Sequence, residues 1–158
     1  MSQLAEYLVE ERVQLDLDVA RRRDVLAALS RLLGGQDPVA GEEVLDDLIR
    51  REQMGSTGVG NGIAFPHARV DFLPSLRLAC VRTLEPVEFA ALDGRPVDLF
   101  FALAGPKQAR REYLAALGSL SYLFRRDGVR RAFREAKDTG EVVQLFGRLV
   151  EETPQARG

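Results

Sequence analysis

The chain has 158 residues, of which 46% are hydrophobic and 29% charged, and its formal net charge is −2. This is the composition of a water-soluble globular protein. No apolar run approaches the roughly 20 residues that cross a bilayer, and the N-terminus lacks the basic and apolar segments of a secretory signal. Cys80 is the only cysteine, which excludes an internal disulfide and a cysteine metal site. These observations predict one cytoplasmic domain over residues 1–158, without membrane insertion.

The charges are unevenly distributed along the chain. Residues 1–50 contain 11 acidic and 6 basic side chains, whereas residues 107–137 contain 9 basic and 3 acidic ones. A solvated helix face is favoured over a nucleic-acid patch, because aromatic residues that could stack on bases do not alternate with these charges. A docking surface for an acidic protein partner is a third interpretation.

The first half of the chain predicts a strand followed by two helices. Residues 13–17 alternate apolar and polar side chains, as in a strand. Apolar residues at helical spacing predict a helix over 19–33, capped by Asp18 and stopped by two glycines. Residues 35–41 predict a linker, and residues 41–54 a second helix.

The second half predicts the rest of an α/β layered domain. Residues 97–106 are almost continuously apolar, which is typical of a central strand covered on both faces. Shorter apolar runs predict strands at 63–65 and 76–84. Helices are expected at 108–124, 127–138 and 140–152, with a core over about 4–150 and a frayed tail over 151–158.

The most informative stretch is GSTGVGNGIAFPH, residues 55–67, which contains the only histidine of the chain. A phosphate-binding P-loop is excluded because no lysine follows its glycines, and the dinucleotide fingerprint is excluded by the glycine spacing. The G-x-S-x-G elbow of hydrolases is also missing. A flexible or sharply turned backbone leading to His67 remains.

A histidine in this setting could accept a transferred group. Glycines let backbone amides approach an anion closely, and a neutral imidazole is a nucleophile near neutral pH. A phosphoryl group on His67 would need positive charge and donors, which Arg51 and the hydroxyls of Ser56 and Thr57 could supply. A purely structural role for His67 stays open at this point, because these residues alone do not select phosphoryl transfer.

The segment RREQMGSTGVGNGIAFPHARV, residues 50–70, resembles the signature of fructose/mannitol-type EIIA domains of the bacterial phosphotransferase system, particularly the nitrogen-regulatory branch. An N-terminal E-R-V-x-L-D-L and a later F-x-A-L-D-G-x-P-V-D-L-F-F-A-L agree with it, so the similarity spans about residues 4–150. The resemblance implies an α/β fold with a mixed sheet sandwiched between helices.

The resemblance also implies a function and partners. His67 would accept a phosphoryl group, through Nε2, from an HPr-like phosphocarrier protein, and would pass it to an EIIB domain or hold it as a signal for a regulatory target protein. Arg51 takes the place of the family's active-site arginine. No cofactor and no nucleic acid are implied, and a homodimer is left open.

One departure from the family pattern affects the expected site. Members of the family commonly carry a second histidine where this chain has Tyr113. Its hydroxyl could donate to a phosphoryl oxygen, or the side chain could serve only in packing. Arg69 is a further candidate for phosphate or partner contact, although a solvated side chain is the favoured interpretation. Three functions therefore remain: a phosphocarrier, a module whose binding depends on His67 phosphorylation, and a degenerate module that is not phosphorylated.

Overall fold

The computed structural model describes residues 3–153. Two 3-10 turns, Leu4–Tyr7 and Glu10–Arg12, precede the first strand. The strands are β1 (Val13–Leu17), β2 (Gly58–Gly60), β3 (Ile63–Ala64), β4 (His67–Arg69), β5 (Arg77–Val87) and β6 (Val97–Gly105). The helices are α1 (Arg22–Gly34), α2 (Pro38–Gln53), α3 (Arg110–Leu123), α4 (Asp127–Glu135) and α5 (Thr139–Glu152).

The strands form one mixed sheet in the order β1-β5-β6-β3-β2, and β4 also pairs with β6. β6 is antiparallel to β5 and parallel to both β3 and β4. This makes β6 the central strand, as its continuous apolar sequence predicts. Residues 63–64 and 67–69 lie successively along the same side of β6, so the glycine-rich segment ends beside the middle of the sheet.

Helices cover both faces of the sheet. Along β6, Phe101 and its alternate neighbours face a core built with α3, α4 and α5, while Phe100 and its alternate neighbours face a core built with α1 and α2. Side chains alternate between the two faces because the side-chain period of a strand is two. The predicted α/β sandwich with a mixed sheet is therefore confirmed.

Several predicted boundaries were wrong. Asp18 does not cap α1, which begins at Arg22 and has no side-chain cap at Arg21. α2 begins at Pro38, inside the predicted linker, because Asp37 accepts a hydrogen bond from the Val39 amide at 3.0 Å and proline suits the first helical position. α5 continues through Glu152, so residues 151 and 152 of the predicted tail are helical; residues 154–158 lie outside the described residues.

The two helices that carry the chain toward the glycine-rich segment touch through glycines. A β-carbon added at Gly34, the last residue of α1, would lie 2.7 Å from the Gly41 nitrogen and 2.8 Å from its Cα. The neighbouring atoms are backbone, so they cannot rotate away as a flexible side chain would. This contact fixes how closely α2 packs on α1, and α2 ends at the functional residues described below.

Replacing Gly34 by alanine should therefore destabilise the fold. We expect Gly34→Ala to lower the free energy of unfolding by about 1–3 kcal/mol through overpacking, measured by urea denaturation. Gly118→Ala is the matched control, because Gly118 lies in α3 with open space around it, and there alanine should stabilise by up to about 1 kcal/mol. Equal stability of the Gly34→Ala variant and the unmodified chain would contradict the proposed contact.

Candidate functional site

The glycine-rich segment is an ordered hairpin that leads directly to His67. β2 and β3 pair antiparallel, and the turn between them has positive φ at Gly60 (105°), Asn61 (59°) and Gly62 (78°), a region that glycine adopts without a steric penalty. Of the two alternatives for this backbone, the structure shows the sharply turned one. The Pro66 carbonyl accepts from the Leu103 amide at 2.9 Å, which fixes the backbone immediately before His67 against β6.

Hydrogen bonds determine which nitrogen of His67 carries the proton. Arg51 Nε lies 3.1 Å from His67 Nε2, and His67 Nδ1 lies 3.1 Å from the Phe65 carbonyl oxygen. A guanidinium can only donate and a carbonyl oxygen can only accept. Nδ1 therefore carries the hydrogen and donates it to Phe65, while Nε2 presents its lone pair to Arg51.

The surroundings keep this imidazole neutral. Burial lowers the pKa of His67 from 6.5, and the positive charges of Arg51 and Arg69 lower it further. The hydrogen bond to the Phe65 carbonyl and the carboxylate of Asp47 act in the opposite direction. His67 is nevertheless only half-buried. A half-exposed, unprotonated ring nitrogen beside a guanidinium is a nucleophile with a cation next to it.

Arg51 is held at the end of α2 by two contacts. Its Nε donates to His67, and one terminal nitrogen donates to the Gly55 carbonyl at 2.8 Å. The C-terminus of a helix favours a cation because of the helix dipole. The structure thus brings together Arg51 and His67, which are 16 residues apart in sequence.

The predicted hydroxyl donors are engaged elsewhere. Ser56 donates to the Phe89 carbonyl at 2.6 Å, and Thr57 donates to the carboxylate of Glu52. A hydroxyl has one hydrogen to give. In this arrangement both residues shape the backbone before the hairpin, and neither hydroxyl proton is free for an anion at His67.

Glu52 is a site residue that the sequence analysis missed. Its side chain is buried and accepts from the Thr57 amide at 3.3 and 3.2 Å as well as from the Thr57 hydroxyl. The main-chain carbonyl of Thr57 in turn accepts a hydrogen bond from the Phe65 amide at 3.0 Å. The Phe65 carbonyl then accepts the hydrogen bond from His67 Nδ1. Burial raises the pKa of Glu52. An acidic residue near the end of a helix gives no sequence signal of burial, so only the folded chain reveals this link.

Tyr113 lies beneath the imidazole. It is 1% exposed, and its hydroxyl lies within hydrogen-bond distance of the Ala68 carbonyl and of the Leu103 carbonyl, the latter at 3.1 Å. Its ring meets the His67 ring at 68° with the centroids 6.0 Å apart. Burial raises the pKa of Tyr113, so the hydroxyl stays protonated. Of the two alternatives for Tyr113, this geometry favours packing over donation to a phosphoryl group.

Fold and site together define an α/β domain with one neutral, nucleophilic histidine. The family model described as "Phosphoenolpyruvate-dependent sugar phosphotransferase system, EIIA 2" matches residues 6–148. The chain belongs to this family, which confirms the resemblance. In the part of the chain that the structure describes, no helix is long and apolar enough to cross a membrane, and no group of three or more histidine, cysteine or acidic side chains could hold a metal.

Similar proteins include nitrogen regulatory proteins. The nitrogen regulatory protein of Pseudomonas aeruginosa is 34% identical over 146 residues, covering 92% of this chain and 95% of its own length. The crystal structure of the nitrogen regulatory protein IIA-Ntr from Neisseria meningitidis is 33% identical with a TM-score of 0.86, covering 91% of this chain and 99% of that one.

The Escherichia coli mannitol enzyme IIA, solved in complex with phosphorylated enzyme IIB, has a TM-score of 0.74 at 20% identity, covering 89% of this chain and 97% of that one. At that identity the likeness concerns the fold. The family and the nitrogen regulatory relatives support a regulatory domain related to the phosphotransferase system.

Loss of the buried carboxylate should weaken the fold around the site. Glu52→Ala leaves the amide and hydroxyl of Thr57 without their acceptor, and we expect the free energy of unfolding to fall by about 2–4 kcal/mol. Glu52→Gln keeps an acceptor oxygen and should cost less than Glu52→Ala. Chemical denaturation of both variants measures the difference, and equal losses would contradict the acceptor role.

The single histidine allows its protonation to be followed directly. We expect an NMR titration of His67 to give a midpoint below 6.5, and Arg51→Gln should move it upward because a nearby positive charge is removed. The exposed Arg131→Gln serves as the control and should leave the midpoint unchanged. A midpoint at or above 6.5 in the unmodified chain would contradict the neutral imidazole.

The same lowered pKa makes stability depend on pH. The unfolded chain binds this proton more tightly than the folded one, so folding stability rises with pH between the lowered pKa and 6.5. The contribution is complete above pH 6.5 and is lost as the pH falls through that window.

Proposed function

We propose that the chain is a phosphoryl-accepting regulatory domain, with His67 as the acceptor and Arg51 as the residue that stabilises the phosphoryl group. The observation that supports this most directly is the lone pair of His67 Nε2, which faces the Arg51 Nε–H at 3.1 Å. The donor in this proposal is a phosphohistidine on an HPr-like carrier protein, and membership of the phosphotransferase EIIA family supports this choice.

The transfer requires no cofactor and no proton abstraction at His67. The lone pair of Nε2 forms the new P–N bond while the P–N bond of the carrier breaks, and its electron pair returns to the carrier's ring nitrogen. Formally PO₃⁻ moves from one ring to the other. The Nδ1 hydrogen remains on His67, where the Phe65 carbonyl accepts it and stabilises the positive charge that develops on the ring.

Arg51 changes its partner during this step. Once Nε2 is bonded to phosphorus, it no longer accepts a hydrogen bond, so the Arg51 Nε–H is free for a phosphoryl oxygen. The hydrogen bond of Arg51 to Gly55 at 2.8 Å keeps the guanidinium near its starting position. Charge-assisted hydrogen bonds to a phosphoryl oxygen are about twice as strong as neutral ones. In this proposal Ser56, Thr57 and Tyr113 act by shaping the site.

Exposed apolar side chains next to the site suit a docking protein. Met54, which follows α2, is 79% exposed, and Leu92 is 83% exposed. The Leu92 amide donates to the Gly58 carbonyl at 3.2 Å, so Leu92 lies against the hairpin that leads to His67. Large exposed apolar side chains beside a reactive group are typical of a protein-binding surface. The carrier, an EIIB domain or a regulatory target would use this surface in turn.

The proposed regulatory function is supported by the similarity to nitrogen regulatory proteins. Phosphorylation would add about −1.5 to −2 charge at the edge of this surface, by analogy with other phosphorylated residues. A target that binds there would therefore distinguish the two states of His67. Proteins described as nitrogen regulatory are 34% and 33% identical to the chain, against 26% for a fructose-specific EIIABC component, and this supports signalling over sugar uptake.

Reconstitution tests the proposal. Incubation with phosphoenolpyruvate, the upstream kinase and the cognate carrier should give acid-labile, base-stable phosphate on the chain, and His67→Ala should abolish it. Arg51→Gln should slow labelling by about 10²–10³-fold, as for loss of one preorganised donor. Folded, unmodified protein that stays unlabelled with its cognate carrier would overturn phosphoryl acceptance and leave a binding module that is not phosphorylated.

A further inference from the structure

We propose that Arg69 is a second phosphoryl-binding cation, which contacts the group on His67 together with Arg51. This inference rests on the proposed phosphorylation of His67. Where members of the family commonly have a second histidine, this chain has Tyr113, which carries no positive charge. We assign the missing positive charge to Arg69.

The strand geometry places the two side chains on one face. His67 and Arg69 are two residues apart in β4, and side chains at this spacing point the same way. Ala68 between them is buried on the other side, in the core with α1 and α2. Arg69 is exposed, so its guanidinium has room to move toward His67.

The ring of Tyr113 supports both side chains. The His67 ring contacts it at a centroid separation of 6.0 Å, and the Arg69 guanidinium carbon lies 5.5 Å from its centroid. An aromatic face holds a guanidinium through a weak cation–π interaction. The Tyr113 hydroxyl lies against the backbone carbonyls of Ala68 and Leu103, so it is not free to bind a phosphoryl oxygen. In this proposal the Tyr113 ring supports the two side chains, and Arg69 binds the anion.

The carboxylates near Arg69 form no ion pair with its guanidinium in the described part of the chain. Glu43, Asp46, Asp47 and Asp71 line the same pocket of about 420 Å³ beside α2, yet no ion pair of the Arg69 guanidinium occurs within residues 3–153. Asp47 instead accepts from the Arg69 main-chain amide at 2.7 Å and pairs with Arg50. Asp47 therefore fixes the strand while the guanidinium of Arg69 stays available.

The positive charge of Arg69 acts on the imidazole of His67. Its positive charge is one of the causes of the lowered pKa of His67, together with burial and Arg51. A phosphoryl dianion on Nε2 presents three oxygens, and their negative charge would attract the same guanidinium. Arg51 and Arg69 would each bind oxygens of this group.

A chemical donor tests Arg69 without any partner protein. Phosphoramidate phosphorylates His67 when Nε2 attacks phosphorus and ammonia leaves with the electron pair of the broken P–N bond. The variants are Arg69→Gln, Arg69→Lys and the control Arg50→Gln, which removes an exposed arginine that lines the same pocket and is paired with Asp47. Phosphorus NMR measures the labelling rate and the pKa of the phosphoryl group on His67.

We expect Arg69→Gln to slow labelling about tenfold, less than the 10²–10³-fold for a buried donor because Arg69 is exposed. It should also raise the pKa of the phosphoryl group, because the dianion loses a neighbouring cation. Arg69→Lys should restore much of both, and Arg50→Gln should change neither. Circular dichroism spectra and denaturation midpoints should be unchanged, because Arg69 is exposed.

The outcomes separate this inference from the proposed function. Equal rates and equal phosphoryl pKa values in Arg69→Gln and the unmodified chain overturn the role of Arg69, even when the carrier labels His67 normally. Slower labelling of Arg69→Gln by phosphoramidate, with a raised phosphoryl pKa, supports the inference. It does so even when the carrier protein does not label His67 and the proposed function is overturned. Equal effects of Arg69→Gln and Arg50→Gln overturn it in favour of general attraction, and no labelling of His67 by phosphoramidate overturns it outright.

Discussion

The hydrogen bond from Arg51 to His67 is the interaction on which the site depends. It joins the last turn of α2 to strand β4, and it works only when Nε2 is unprotonated, because a guanidinium cannot accept. The Phe65 carbonyl completes the arrangement by taking the Nδ1 hydrogen. A cation beside a lone pair favours the neutral ring, and in the proposed transfer it would favour a bound anion afterwards. The same contact would therefore prepare both the nucleophile and the place for a phosphoryl group.

Much of the surrounding structure fixes the position of the end of α2 relative to strand β4. Glu52 ties the end of α2 to Thr57, and Thr57 is bonded to Phe65, whose carbonyl orients His67. This chain of contacts is short, and its Glu52 and Thr57 side chains are buried. On the other side, the glycine contact between α1 and α2 sets the position of the helix itself. Preorganisation of this kind places charge without a reorganisation cost at the moment of reaction.

The tyrosine at position 113 changes how charge is distributed around the histidine. A buried phenol with a raised pKa contributes packing and an aromatic edge, and no positive charge. In the proposed site, the positive charge would be supplied by arginines on two different elements, Arg51 on α2 and Arg69 on β4. Arginine remains charged at any physiological pH. A site built on arginine therefore keeps its positive charge at any pH in the cell, whereas one with a second histidine would lose part of it near neutrality.

The sequence by itself determined the family, the central apolar strand, the helices and the pairing of a unique histidine with Arg51, because motif and periodicity are local properties of the chain. It did not determine the start of α2 at Pro38, since a proline next to Asp37 suits both a linker and a helix start. The burial of Glu52, the engaged hydroxyls of Ser56 and Thr57, and the inward tyrosine hydroxyl were decided only by tertiary structure. Hydrogen-bond partners between distant segments depend on where the sheet and helices bring them together, and residue type alone carries no record of that distance.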